Sequence, residues 1–338
     1  MKQIICLEPG KFEQREVDVP VTEPGQVLLK VKRIGICGTD LHAFEGTQPF
    51  FTYPRVLGHE LACEIAEGQN LATRFKAGHP VTFIPYFPCN SCIACRNGKP
   101  NCCTKIQGAG VHIHGGMTEF ISVPSYALID GEGLTFDELA MVEPMAIGAH
   151  AVRITEIRND EFVLITGAGP IGLGVMAFAK IKGAKVIAMD VNNERLEFAK
   201  KYFNVDFTVN ALENPIGQIS KITEGEMVTT VIDATGNKRA IEGSLEYLAH
   251  GGKITMVGIQ KEPFSFNHPE FHKRETTLRS SRNATREDFD HVVENIRNGK
   301  VNVSALISHR LAFDTLPQQF PQLIDPKMGV IKAIVELD

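Results

Sequence analysis

The hydrophobic pattern changes character partway along the chain. Up to about residue 145 it consists of short apolar runs cut off by Gly or Pro: Val27 to Val31, Leu57 with Gly58, Val81 to Ile84, and Phe120 to Val123. Such punctuation suits a compact β-rich domain. From about residue 146, runs of strand length alternate with segments of helical spacing. Strands are predicted at 162–166, 184–190, 206–210, 228–235, 252–259 and 276–281, with helices such as 193–203 and 238–249 between them. The alternation predicts an α/β fold with a parallel six-stranded sheet in the order 3-2-1-4-5-6. Residues 282–338 open with a helix, Glu287 to Asn298, and end in a strand, Val330 to Glu336. They are expected to return to the first domain.

The stretch FVLITGAGPIGLGVMAFAKIKGAKVIAMD, Phe162 to Asp190, reads as strand, turn, helix, strand. Its turn is Gly167-Ala168-Gly169-Pro170-Ile171-Gly172. Gly167 makes the tight turn, Gly169 lets a pyrophosphate approach the backbone, and Gly172 lets the helix lie close on the strand. Free amides at the helix start then face the phosphates. Residues 162–179 carry no charge, but their five Gly or Pro residues exclude a membrane span. Asp190 closes the second strand, where a carboxylate accepts hydrogen bonds from an adenosine ribose. It would repel a 2′-phosphate by ~1 to 4 kcal/mol at contact distance, which favours NAD over NADP. Arg195 is either a solvated charge on the following helix or a group that stacks on adenine.

Composition narrows the partners. The chain has 338 residues, 43% hydrophobic and 22% charged, so it is long enough for two domains with their own cores. A net charge of −5 without any basic block excludes nucleic acid as the main partner. The apolar core of the first residues, Ile4 to Leu7, is too short for a secretory signal. A cytoplasmic protein is expected. In that reducing setting, four of the eight cysteines packed between Cys89 and Cys103 mean metal and not disulfides.

Cys89, Cys92, Cys95 and Cys103 offer four thiolates that close a tetrahedral zinc and leave no open position, the mark of a structural site. Cys102 adjoins the last of them. A second constellation is sparser: Cys37 in GICGTDLH, then His59 and Glu60 in GHE. Thiolate, imidazole and carboxylate together can hold a zinc with one position left for water or substrate. Taken singly, each has a structural account as a packed thiol, a satisfied histidine or an acid that orients a ligand. Glu143, just before the nucleotide-binding domain and the expected cleft, either ligates this metal, hydrogen-bonds its water, or is a helix-start charge.

GICGTDLH, YPRVLGHE, the cysteine cluster, GGMTEF and TGAGPIGLG together resemble the zinc-containing medium-chain dehydrogenase/reductase family, in the family's order and over essentially the whole chain. The family's cysteine spacing selects Cys103 over Cys102. The resemblance implies a GroES-like catalytic domain (1–145, with a structural zinc lobe at about 86–105) interrupted by a Rossmann NAD-binding domain (146–281), with 282–338 returning to the first. It implies two zinc ions per chain, NAD, and a dimer or tetramer. Cys37, His59 and Glu60 would bind the catalytic zinc, with Glu143 at a position that supplies a fourth ligand in some members. Thr39 would take the hydroxyl proton and pass it, through the nicotinamide ribose, to His42, which can exchange it with solvent.

Within the family, FFTYPRVLGHE, DATGN, PEFHKRETT and SRNATREDF look most like bacterial sugar-acid dehydrogenases that oxidise C5 of L-galactonate or L-gulonate to tagaturonate or fructuronate. Arg282 follows the last predicted strand, where related polyol enzymes also place an arginine; it is either a grip on a substrate carboxylate or a surface charge. Phe50 and Phe51 either wall the pocket or pack in the core. His112, His114 and the run His272 to Glu275 are expected on the surface. The alternatives are a sorbitol-type polyol or L-threonine dehydrogenase and, outside enzymes, a retired NAD-binding regulatory protein. Intact Cys37, His59, Glu60 and Thr39 argue against the last.

Overall fold

The computed structural model describes residues 1–48, 51–66 and 75–337. The chain divides into two compact units: Met1–Glu143, Thr285–Gly299 and Val303–Asp338 form one, and Pro144–Ala284 with Lys300–Asn302 the other.

The first unit is built on a seven-stranded sheet. Its path runs Ile307–Ala312, Lys332–Glu336, Gln26–Ile36, Glu60–Ile65, Pro80–Phe83 and Leu128–Asp130, and Phe120–Pro124 pairs with the early half of Gln26–Ile36. The central strand, QVLLKVKRIGI, buries Val27, Leu29, Val31 and Ile34. These pack with Leu57, Leu61, Phe83 and Phe320 into one core. A register shift between Val31 and Arg33 then sets the end of this strand: Gly35 stands opposite Glu60 and Ile36 opposite Ala333. A shift of this kind re-aims side chains, and here it brings residues from three strands to one point.

The second unit carries the parallel six-stranded sheet, in the expected order. In chain order its strands are Phe162–Thr166, Lys185–Asp190, Phe207–Asn210, Val228–Asp233, Leu248–Met256 and Thr277–Ser280; in space the third, second and first are followed by the fourth, fifth and sixth. Leu164, Ile187, Val231 and Ile254 fill its core. The predicted helix 238–249 is shorter, ending at Gly243. Leu245, Tyr247 and Leu248 mimic a helical stripe, but Leu248 already pairs with Val228 in the sheet, and a tight turn at Ser244–Tyr247 makes the connection. No helix among the described residues is long and apolar enough to cross a membrane.

Candidate active site

The ligand atoms of Cys37, His59 and Glu60 all lie within 4.8 Å of one another. Each arrives by a different local rule. Cys37 directly follows the central strand and caps the helix Gly38–Phe44. His59 follows Gly58, whose φ of +90° is a conformation that glycine adopts without strain. Glu60 starts the next strand, and its side chain lies across Gly35, where a Cβ would meet Oε2 at 2.2 Å. The Nδ1 of His59 is buried without a hydrogen-bond partner. Burial opposes a charge on this imidazole, yet Asp40 and Cys37 outweigh it and raise its pKa well above the usual histidine range. His59 Nδ1 lies 3.8 Å from Asp40 Oδ1, and the anion-rich set of Cys37, His59 and Glu60, with ligand atoms within 4.8 Å of one another, fits a divalent cation; one sulfur, one nitrogen and one oxygen suit zinc with an open position.

Three further residues serve this site and escaped the sequence reading. Asp40, fully buried, accepts the amides of Cys37 at 2.9 Å and Gly58 at 3.1 Å, and so clamps both ligand-bearing turns. Lys332 donates to both oxygens of Glu60 at 2.7 Å and to the carbonyl of Ile36 at 3.1 Å. Tyr86 donates its hydroxyl to Oε1 of Glu143. Burial pushes the Glu143 carboxyl up to about 7; His59 opposes this and Glu60 adds to it. Glu143 thus feels the site but is not in the group of mutually close ligand atoms. Signals existed for two of these: Asp40 stands inside GICGTDLH, and Lys332 is a lone cation in the apolar strand KAIVE.

Thr39 and His42 lie three residues apart on the helix Gly38–Phe44 and therefore share a face. His42 is exposed; its Nδ1 meets Thr47 Oγ1 at 3.2 Å and Glu45 Oε2 at 3.3 Å. An imidazole so placed can exchange protons with solvent.

The sulfurs of Cys89, Cys92, Cys95 and Cys103 form a second group within the same 4.8 Å limit, and Cys102 is outside it. Backbone amides of Cys89 and Lys105 donate to Cys103 Sγ at 3.2 and 3.3 Å, and that of Cys92 donates to Cys89 Sγ at 3.4 Å. Hydrogen bonds lower Cys92 to about 5 and Cys89 to about 7, while burial pushes Cys95 up to about 12. Crowded sulfurs cannot all ionise alone; a divalent cation is the partner that lets them.

In the second unit the glycine turn divides its tasks. Gly167 has φ +93°, and a Cβ on Gly172 would lie 1.8 Å from the Gly167 carbonyl oxygen. A Cβ on Gly169 would meet nothing within 4 Å. Gly169 caps the helix Pro170–Ile181, with Pro170 and Ile171 in its first turn. Asp190 accepts the amides of Ala168 at 2.7 Å and Asn192 at 2.9 Å, tying the glycine turn to the end of the second strand. Each of its two oxygens thus accepts one backbone amide.

The other predicted residues fall outside these clusters. Arg195 and Arg282 are exposed, on the helix Asn193–Phe203 and just past the strand Thr277–Ser280. Phe51 packs against the core of the first unit, its ring 4.9 Å from that of Tyr53, and Phe50 lies outside the described residues. His112 and His114 are exposed as expected, but each Nδ1 accepts a backbone amide, from Gly108 and Val56 respectively.

A sheet of this order with its glycine turn takes a nicotinamide dinucleotide, and an open sulfur, nitrogen and oxygen set takes a catalytic zinc; a chain with both is a zinc-dependent dehydrogenase. Residues 23–132 match the alcohol dehydrogenase GroES-like domain and residues 170–298 the zinc-binding dehydrogenase domain. An L-galactonate-5-dehydrogenase of Escherichia coli K12 is 40% identical over 336 residues, 99% of this chain and 98% of its own. A D-xylulose reductase A of Aspergillus oryzae is 31% identical over 97% of this chain and 94% of its own. An alcohol dehydrogenase of E. coli CFT073, solved with NADH, superposes with a TM-score of 0.92 at 30% identity, over 100% of this chain and 99% of its own. The chain belongs to the zinc-type alcohol dehydrogenase family.

Proposed function

We propose that the chain oxidises a secondary hydroxyl of a sugar acid, at C5 of L-galactonate or L-gulonate, with NAD as acceptor. The observation that carries the chemistry is the mutual approach of one ligand atom each from Cys37, His59 and Glu60, all within 4.8 Å of one another. When bound, zinc supplies a Lewis acid that lowers the pKa of the hydroxyl and NAD supplies the hydride acceptor. The chain's residues do the rest. Thr39 Oγ1 receives the proton of the substrate hydroxyl, and His42 releases it to solvent. Lys332 offsets the charge of Glu60, and Asp40 fixes the turns that carry Cys37 and His59.

A sugar acid is favoured by the name of the 40% identical relative and by the exposed guanidinium of Arg282, which suits two parallel hydrogen bonds to a carboxylate. The 31% identical reductase favours a polyol as the second reading. NADH formation with L-galactonate, L-gulonate, sorbitol and L-threonine in parallel decides between them. Turnover of sorbitol alone would replace the sugar-acid reading. A homo-oligomer is part of the proposal: the strand Thr277–Ser280 is an edge of its sheet, with Leu278 37% and Ile259 69% exposed, an edge suited to another copy. Cytoplasmic residence is also proposed, supported by eight cysteines without a disulfide, four of them grouped so that they could hold a metal.

A further inference from the structure

The four-cysteine lobe is joined to the Cys37, His59 and Glu60 site by a side chain. The strand Tyr86–Phe87 ends just before Cys89, and its antiparallel partner Gln107–Gly108 begins just after Cys103. The cluster therefore closes the loop between the two strands. A two-stranded ribbon this short has little stability of its own, and closure of the loop adds to the Ala109 amide's hydrogen bond to the Pro85 carbonyl at 2.9 Å and to the edge-on packing of the Tyr86 ring on Phe289. Tyr86 projects from this ribbon, and its hydroxyl reaches Glu143. That carboxylate is 4% exposed and interacts electrostatically with His59 and Glu60, yet lies outside the group of mutually close ligand atoms. The hydrogen bond occupies Oε1, so Glu143 can turn that oxygen towards a cation only by leaving the Tyr86 hydroxyl, a buried donor, unsatisfied, at a cost of about 1 to 3 kcal/mol.

We propose that Tyr86 is a positioning residue that keeps Glu143 out of the catalytic metal's ligand set, and that it does so only while the four-cysteine lobe is closed. The metal of the lobe then governs the coordination of the other metal, a task beyond stabilising the fold. This rests on the metal site described above and not on the identity of the substrate. A second physical link runs beside it. The segment after the ribbon continues to Gly116, whose amide donates to the carbonyl of Gly58, next to His59, at 2.9 Å.

The test uses full-length protein with zinc in the lobe and cobalt in the catalytic site, read by the cobalt visible spectrum. Tyr86→Phe keeps the ring and removes the hydroxyl; it is expected to shift that spectrum and lower kcat roughly tenfold, with lobe zinc retained. Cys95→Ser, which opens the lobe, is expected to give the same spectral shift, and the double variant a shift no larger than either. A wild-type spectrum in Tyr86→Phe, or shifts that add in the double variant, would overturn the inference. If Cys95→Ser does not fold, Cys92→Ser takes its place, together with the wild type whose lobe zinc has been removed by a chelator before cobalt is added back; a wild-type spectrum in either would overturn the dependence on the lobe. Failure of the wild type to bind cobalt would instead overturn the metal site itself, and this inference with it.

Discussion

Lys332 and Glu60 are 272 positions apart in the chain, and the ammonium of one lies 2.7 Å from both oxygens of the other. Both are buried, at 3% and 0% exposure. Burial disfavours the Lys332 charge, but Glu60 and Cys37 outweigh it and raise its pKa above the ordinary lysine range. Removing one partner of a buried pair leaves an uncompensated charge, at a cost of about 3 to 5 kcal/mol. Lys332→Met is therefore expected to destabilise the chelated protein by that amount and the zinc-loaded protein by less, because the metal gives Glu60 another cation. Thermal melting of both forms checks this. Equal losses in the two would mean that Glu60 and the metal are not coupled.

The glycine turn permits a sharper test. Gly172→Ala places a Cβ against the Gly167 backbone and is expected to cost about 3 kcal/mol of stability. Gly169→Ala meets nothing in the protein, so it should melt like the wild type. Its cost appears only when a pyrophosphate approaches, as a weakening of NADH binding by roughly tenfold or more. A melting curve and an NADH fluorescence titration separate the two. Normal NADH affinity in Gly169→Ala would mean that the phosphates do not approach this turn.

Nucleotide choice is tested at Asp190. Asp190→Ala removes the repulsion of a 2′-phosphate, worth ~1 to 4 kcal/mol, and is expected to lower the NAD to NADP ratio of kcat/KM by at least about tenfold. Steady-state kinetics with both nucleotides gives the ratio. Asp190 also holds the Ala168 amide, so a loss of NAD affinity should accompany the change.

A pH dependence follows from Asp137. It accepts from Arg310 and, at 3.1 Å, from Arg33 Nε, while Arg310 also pairs with Glu336 at 2.6 Å. The Arg310 hydrogen bond, working against partial burial, holds the Asp137 carboxyl below its ordinary 3.8. A depressed folded pKa contributes stability that is present above the unfolded value and is lost as the pH falls through the folded one. For this partly exposed network the contribution is about 1 kcal/mol. Asp137→Asn should therefore melt lower than the wild type at about pH 7, with the gap closing towards about pH 3. A gap that persists at low pH would assign the loss to packing.

What the sequence shows of this molecule is what lies close together in the chain. Strand–helix alternation gave the order of the nucleotide-binding sheet, because each parallel strand needs a covering helix and the crossovers run one way. The helix at 193–203 was legible from its apolar spacing, whereas the Asn192 side chain that caps it was found in the structure. Pairings across the chain were not. Periodicity has no access to the partner of Lys332 or to the hydroxyl that holds Glu143, 57 residues from Tyr86. The register shift that sets Gly35 opposite Glu60 is hidden in the same way, since it arises from strand pairing and not from the strand itself. Leu248 misled for the opposite reason: its spacing fits a helix, and the sheet claims it.

The account stands on one set of three ligands. The most direct measurement is zinc content and turnover of the wild type beside Cys37→Ser, with L-galactonate and NAD as substrates. The expected result is about two zinc ions per chain and NADH formation for the wild type, against about one zinc and no NADH for the variant. Two zinc ions and undiminished turnover in Cys37→Ser would contradict it.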